Sequence, residues 1–346
     1  MNIQQAIAEL IERRDLDLQA MTGVMRQIMT GQATEAQIGG FLVGLRMKGE
    51  TIDEITAAAR VMRELSNAVA LHGENLVDIV GTGGDSAGLF NVSTAASFVA
   101  AAAGARVAKH GNRSVTSSSG STDLLEAAGV YLDLSPEQIV RCIDELGIGY
   151  MFAVNHHSAM KHAIGPRKQL MVRTIFNILG PLTNPAAVPN MLLGVFSPQW
   201  QLPFAQVLDR LGANHVLVVH SADGLDEISI AGPTRVVELN HGKITQYTIR
   251  PEDFGLTSAP LESLVVANAA DSLALIEQAY TGEAGVARDM LALNAGAALY
   301  AAGVSSSIAE GVVLADDVMS SGQAWEKLKQ FAEFTTLLGS SESASL

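Results

Sequence analysis

The chain is short of cysteine, of positive charge and of long apolar runs. Its 346 residues hold one cysteine, Cys142, so no disulfide can form within the chain. That usage fits a reducing compartment, and a cytoplasmic location is expected. Lysine and arginine number 22 against 36 aspartates and glutamates, for a formal net charge of -14. A chain of that sign repels nucleic acid at long range, and no basic tract interrupts it, so no nucleic-acid partner is expected. The longest apolar run starts at Phe98 and stops at Arg106. A membrane span needs roughly 20 residues, so no membrane partner is expected either. The opening "MNIQQAIAELIERRDLD" is amphipathic and charged, unlike a signal peptide. No internal repeat or low-complexity linker stands out.

Hydrophobic residues make up 48% of the chain and charged ones only 17%, which supports a large buried core. The length predicts one large domain with a smaller one. Residues 1–70 have a helical period: Ile3, Ala6, Ile7, Leu10 and Ile11 fall three and four apart. Further helices are predicted at Asp17–Thr30, Glu35–Lys48 and Thr51–Leu65, with Thr34 and Thr51 as N-caps. After Gly73 the pattern changes. "LVDIV", "RVAKHG", "YMFAV", "NMLLGVF" and "HVLVVHS" read as strands that alternate with helices, including "STAASFVAAAAGA", "STDLLEAAG", "SPEQIVRCIDELG" and "WQLPFAQVLDRLGA". Such alternation implies a mainly parallel sheet flanked by helices. Two alternating runs around Asn240–Gly242 read as a hairpin, and the chain from about Ser272 is helical again. The expected fold is α/β: a small all-helical domain, residues 1–70, and a large domain, residues 71–346.

An acidic chain can hold phosphate only through local devices. "DIVGTGGDSAG" offers three glycines, Gly81, Gly83 and Gly84, which permit positive φ and close approach to the backbone. Successive N–H groups there would form an anion-binding concavity at a helix start. Asp85 would bind ribose hydroxyls or water around a metal instead of phosphate. "NVSTA" places Asn91, Ser93 and Thr94 at the start of the alanine-rich helix, either as ordinary caps or around a second phosphate. Ser93 is also a candidate magnesium ligand. "AKHGNRSVTSSSGSTD" follows a strand of the same sheet and sets Lys109, His110 and Arg113, read as cationic or nearly so, around Asn112, with Ser117, Ser118, Ser119 and Ser121 beyond. In a parallel sheet these loops meet at the carboxyl ends of the strands, where ligands bind.

Asp226 and Glu227 in "DGLDEIS" are a solvated turn or a magnesium site, since Mg²⁺ takes one or two carboxylates plus waters and phosphate oxygens. Arg167, Lys168 and Arg173 precede a proline-rich turn, and an arginine fork suits a carboxylate. His156, His157 and His162 lack cysteine or glutamate at zinc-like spacing. No nucleophile elbow or reactive-cysteine context occurs.

The segments "GTGGD", "NVSTA", "KHGNRSVTSSSGSTDLLEA", "RTIFNILGPLTNPA" and "DGLDEIS", in this order and at these spacings, resemble the anthranilate phosphoribosyltransferase family of tryptophan biosynthesis. The resemblance runs from about residue 5 to about residue 335. It implies phosphoribosyl transfer from 5-phosphoribosyl 1-diphosphate to the amine of anthranilate, Mg²⁺ as cofactor with two ions, and a homodimer through the helical domain. It also implies that a segment near residues 155–177 returns to that domain. By position, Gly81, Gly84, Asp85, Asn91, Ser93, Thr94, Lys109 and Ser121 are implied to bind the phosphoribosyl diphosphate. Lys109 is implied to stabilise the leaving group, with no single general base. Gly81, His110, Asn112, Arg167 and Pro181 are implied to contact anthranilate, and Ser93, Asp226 and Glu227 to bind metal. The chain departs from the family pattern at Thr116, Ser118, Thr122, His156 and Ser158. Pyrimidine nucleoside phosphorylases share the architecture but resemble a Lys-Met-Ser-Gly pattern where this chain has "KHGNR". A non-catalytic, nucleic-acid-binding relative would need a basic face.

Overall fold

The computed structural model describes residues 1–84, 87–113, 119–282 and 284–343. Four helices come first: α1 Ile3–Ile11, α2 Leu18–Met29, α3 Glu35–Lys48 and α4 Ile52–Glu64. Their starts follow from their caps. Thr34 accepts the N–H of Gln37 while Gln37 reaches back, and Thr51 does the same with Glu54. Each reciprocal box satisfies two backbone donors that a helix start leaves open, and an N-cap of this type is worth about 1 kcal/mol.

Strand–helix alternation then runs through β1 Leu76–Gly81, α5 Val92–Ala102, β2 Arg106–Gly111, α6 Ser121–Ala127, α7 Pro136–Leu146 and β3 Ile148–Phe152. Next come α8 Ala153–His156, α9 Lys161–Leu170, α10 Phe176–Leu179, β4 Asn190–Gly194, α11 Gln201–Arg210 and β5 His215–Ser221. The hairpin is β6 Thr234–Asn240 and β7 Lys243–Ile249. His241 and Gly242 both take positive φ in its two-residue turn, the twist that suits a hairpin. The chain ends in α12 Ala269–Thr281, α13 Val286–Ala301, α14 Ile308–Ser320 and α15 Gln323–Ser343.

The seven strands form one sheet in the order β3-β2-β1-β4-β5-β6-β7. The first five are parallel and the hairpin adds an antiparallel edge. Strand β3 begins and ends two residues earlier than "YMFAV" suggests. Its ladder with β2 ends at Gly111–Phe152, so Ala153 and Val154 have no strand to join and open α8 instead.

The two faces of the sheet belong to two cores. Leu192 of β4 and Leu217 and Val219 of β5 pack with α5, α7 and the C-terminal helices. Met191, Leu193, Val216 and Val218, one residue out of step, pack with α11 and the N-terminal helices. Period-2 alternation thus feeds both cores, each fully buried Val or Leu contributing roughly 1.5–3 kcal/mol. Helix α9 lies against α3 and α2, and α4 against α11. The N-terminal helices therefore share one continuous core with the second face of the sheet. No described helix is long and apolar enough to cross a membrane.

Candidate active site

The order β3-β2-β1-β4-β5 reverses its winding at β1, between β2 and β4. A crevice at the carboxyl ends of the strands is expected there. It is present as a cavity of about 440 Å³ bordered by the ends of β1 and β2, the start of α5, the Asp226–Glu227 turn and, from the other side, Arg167, Arg173 and Pro181.

The glycine loop leaves β1 at Gly81. Gly83 and Gly84 have φ of 64° and 86°, in the left-handed region that favours glycine. Asp226 is 7% exposed, and its Oδ2 accepts the N–H of Gly83 at 2.7 Å. A Cβ built on Gly81 would meet the same oxygen at 2.4 Å, so no larger residue fits beneath the turn. Loop and acid turn are thereby one unit, although 143 residues separate them in sequence. Asp85 lies outside the described residues, as do Thr116, Ser117 and Ser118.

Helix α5 opens without a side-chain cap. Asn91 stands in the cap position, yet its amide turns to neighbouring loops. Its Oδ1 accepts from Ser119 Oγ at 3.0 Å and Ser272 Oγ at 2.9 Å, and its Nδ2 donates to the Ser119 carbonyl at 3.1 Å. Asn91 is thus a strut that ties the serine loop and α12 to the helix start. The Val92 N–H donates to the Phe90 carbonyl at 2.7 Å, so an anion at this uncapped helix end would meet the N–H groups that follow it in the first turn. Ser93 lines the cleft, and Thr94 beside it is fully buried with a hydroxyl that has no hydrogen-bond partner among the described residues.

Lys109 at the end of β2 is 2% exposed. Its Nζ donates to the Ile79 carbonyl at 2.6 Å and lies 3.4 Å from Ser93 Oγ. Burial pulls its pKa down, while the charges of Asp78 and Glu227 pull it up. His110 departs from the cationic reading. It is buried, its pKa is well below 6.5 chiefly through desolvation, and its ring meets that of His157 edge-on at 5.3 Å. Burial likewise pushes His157 down to about 4, so the pair is neutral at pH 7. Arg113 is committed to Glu126 through two bonds at 2.5 Å and to Asp123 at 3.1 Å, which removes it as a free cation for substrate. Asn112 and Ser121 both line the cleft.

The opposite wall carries Arg167 in the last turn of α9, its guanidinium 5.2 Å from the Phe176 ring centre and without an acidic partner among the described residues. Lys168 is exposed on the same turn. Pro181 lies in the 3₁₀ turn Gly180–Thr183 and borders the cleft. Arg173 joins this wall to the glycine loop: its Nη2 donates to the Gly84 carbonyl at 3.0 Å, and it stacks 4.3 Å over Phe196.

Two structural residues escaped sequence reading. A Cβ on Gly194 would fall 1.5 Å from the Asp226 carbonyl, so the acid turn crosses directly over the end of β4. Asn294 of α13 holds that turn from behind, pairing with both backbone groups of Ile228 at 2.9 Å. A glycine inside the apolar run "NMLLGVF" was the available signal for the first. The second had none.

The donors suit a hard cation. Asp226, Glu227 and the Ser93 hydroxyl offer oxygen only, and Asp226 is held rigidly by the loop it faces. No group of three or more His, Cys, Asp or Glu gathers among the described residues, so these make no all-protein cage. That set fits Mg²⁺, which keeps waters and shares phosphate oxygens.

Comparison with known proteins agrees with this architecture. A model described as "Glycosyl transferase family, helical bundle domain" matches residues 4–66, and one described as "Glycosyl transferase family, a/b domain" matches residues 73–325. The anthranilate phosphoribosyltransferase of Thioalkalivibrio sulfidiphilus is 60% identical over 97% of this chain and 99% of its own. That of Chromohalobacter salexigens is 60% identical over 98% of each. The crystal structure of the Thermus thermophilus anthranilate phosphoribosyltransferase superposes with a TM-score of 0.90 at 46% identity, covering 96% of this chain and 99% of that one. The Saccharomyces cerevisiae enzyme in complex with PRPP and Mg shares the fold, with a TM-score of 0.87 at 24% identity over 96% and 98%. With both family models matched and relatives this similar along nearly its whole length, the chain belongs to the glycosyl transferase family of the anthranilate phosphoribosyltransferases.

Proposed function

We propose that this chain transfers the phosphoribosyl group of 5-phosphoribosyl 1-diphosphate to the amine of anthranilate, releasing diphosphate, as a step of tryptophan biosynthesis. The observation that carries the reading is the union of loop and acid pair. One cleft brings together a glycine turn, an uncapped helix start, two carboxylates and an arginine without an acidic partner among the described residues. The first two suit phosphate, the carboxylates suit its counter-ion, and the arginine suits the acceptor's carboxylate.

In the reaction the bond from ribose C1 to the diphosphate oxygen breaks and a bond from C1 to the amine nitrogen forms. The amine then loses one proton. An aniline nitrogen is already neutral at pH 7, so no strong base is needed before attack. Departure of diphosphate is the harder event, because negative charge grows on it. The Gly83 N–H is taken by Asp226, so we assign the backbone of Gly81 and Gly84 and the Lys109 ammonium to that charge, where one well-placed donor is worth roughly 3 kcal/mol. Bound Mg²⁺, two ions in our reading, would supply further neutralisation, held by Ser93, Asp226 and Glu227. Arg167 and Asn112 would hold anthranilate with its nitrogen near C1, with Gly81, neutral His110 and Pro181 shaping the pocket. Asn91, Thr94, Ser121 and Asp85 complete the proposed donor site.

We further propose a cytoplasmic homodimer formed through a helical domain of residues 1–70, to which the segment near 155–177 returns, with residues 71–346 as the catalytic domain. Exposed Ile11 on α1 and Met47 on α3 support a covered face there. The test is anthranilate fluorescence. Its Mg²⁺-dependent loss on adding phosphoribosyl diphosphate, with one diphosphate released per anthranilate consumed, is the expected result. Nucleoside phosphorolysis without such loss would replace this reading.

A further inference from the structure

Strands β1 and β2 are each six residues long, yet their ladder pairs only Leu76 with Arg106 and Val77 with Val107. On their outer sides both strands stay paired to the end, β1 with β4 as far as Gly81–Gly194 and β2 with β3 as far as Gly111–Phe152. The sheet is therefore opened along one seam, in the half that faces the cleft.

Side chains take up the backbone groups that the ladder leaves. Asp78 Oδ1 accepts the N–H of His110 at 3.2 Å. Asp78 Oδ2 accepts from Asn184 Nδ2 at 2.8 Å, and the same amide donates to the Ala108 carbonyl at 2.9 Å. Asn184 Oδ1 in turn accepts the N–H of Ala186, which fixes the amide's orientation. Asp78 and Asn184 are 0% and 1% exposed. Paired strands lie about 4.8 Å apart, and side-chain bridges across a seam need more room than direct ladder bonds. A buried carboxylate is costly, whereas an apolar residue at 78 would let the ladder close. Desolvation does push the Asp78 carboxyl up to about 6. A closed ladder would draw the glycine loop, carried by β1, towards Lys109 to Asn112, carried by β2, and narrow the cleft between them.

We propose that Asp78 and Asn184 are positioning residues that hold β1 and β2 apart, the width of their seam setting the distance between the glycine loop and the Lys109–Asn112 segment. The catalytic consequence rests on the phosphoribosyl transfer proposed above; the seam itself does not. The experiment uses the full chain with Asp78→Asn, Asn184→Ala and the double variant, at a temperature where thermal melts show each is folded. In Asp78→Asn the amide presents N–H to one of two donors, so the bridge breaks without change of size. Each single variant is expected to lose about 10- to 100-fold in kcat, the scale of a small misplacement of reacting groups. The double variant is expected to lose no more than the worse single, since the two act as a unit. Hydrogen exchange at the His110 amide should speed up in Asp78→Asn. Rates within twofold of the parent, losses that multiply in the double variant, or unchanged exchange at His110 each overturn the proposal. Should Asp78→Asn not fold, the rate of Asn184→Ala and its His110 exchange decide in the same terms. Should the parent chain transfer nothing, the functional reading falls, and exchange at His110 alone judges the seam.

Discussion

Asp226 accepts the N–H of Gly83 at 2.7 Å, and the same carboxylate leaves no room for a methyl group on Gly81. The glycine loop and the acid turn are thereby one mechanical unit, and small changes to either should be felt by both.

Gly81→Ala tests that unit. The new Cβ must displace Asp226, an overpacking that costs about 1–3 kcal/mol of stability. Because it also displaces the carboxylate that holds the glycine loop, a loss of roughly a hundredfold in kcat is expected. Gly194→Ala should destabilise more, since its Cβ meets the Asp226 backbone, which cannot rotate away. Thermal melts and initial rates of the two variants check this order; a Gly81→Ala enzyme of parental rate would contradict it.

Asp226→Asn with Glu227→Gln removes both carboxylates at nearly constant volume. The expected effect is on metal dependence: the Mg²⁺ concentration for half-maximal rate should rise at least tenfold, with the fold retained. A titration of rate against Mg²⁺ reads it, and an unshifted midpoint would remove these acids from the metal site.

Arg167→Ala should raise KM for anthranilate with little change in KM for phosphoribosyl diphosphate. A hydrogen bond to a charged group is worth about 1.5–3 kcal/mol, so a rise of roughly 10- to 150-fold follows. Arg167→Lys keeps the charge but loses the planar fork and should recover only part of it. Varying each substrate in turn separates the two constants.

The buried histidines give a stability signature. His157 is held at about 4 by burial, below the 6.5 of an exposed imidazole. Above pH 6.5 it is neutral in both folded and unfolded chains and costs nothing. As the pH falls from 6.5 towards 4, the unfolded chain takes up a proton that the folded chain refuses, so stability is lost over that window. The full loss from this one group is about 3 kcal/mol. His157→Asn should therefore flatten the acid side of a melting-temperature profile relative to the parent. Parallel profiles between pH 4 and 6.5 would exclude His157 as the cause.

Much of this was legible in advance, and the reason is locality. Thr34 and Thr51 announce helices because caps act over three residues, and "GTGG" announces a tight turn with positive φ for the same reason. Parallel topology then predicts that loops after β1, β2 and β5 converge. What stayed hidden depends on distant partners or on burial. His110 reads as a cation until its desolvation is known, and Arg113 reads as available until Glu126 is seen to hold it. Asn91 reads as a cap, yet it bridges Ser119 and Ser272. Asp78 in "LVDIV" is one acid in an apolar run, and its partner Asn184 lies 106 residues away.

The most direct test of the central claim is a crystal of the chain with phosphoribosyl diphosphate and Mg²⁺. The account predicts the diphosphate against the backbone of Gly81 and Gly84 and beside Lys109, with Asp226 and Glu227 reaching its metal directly or through water. A sugar diphosphate bound outside this crevice, with both acids left facing solvent, would contradict it.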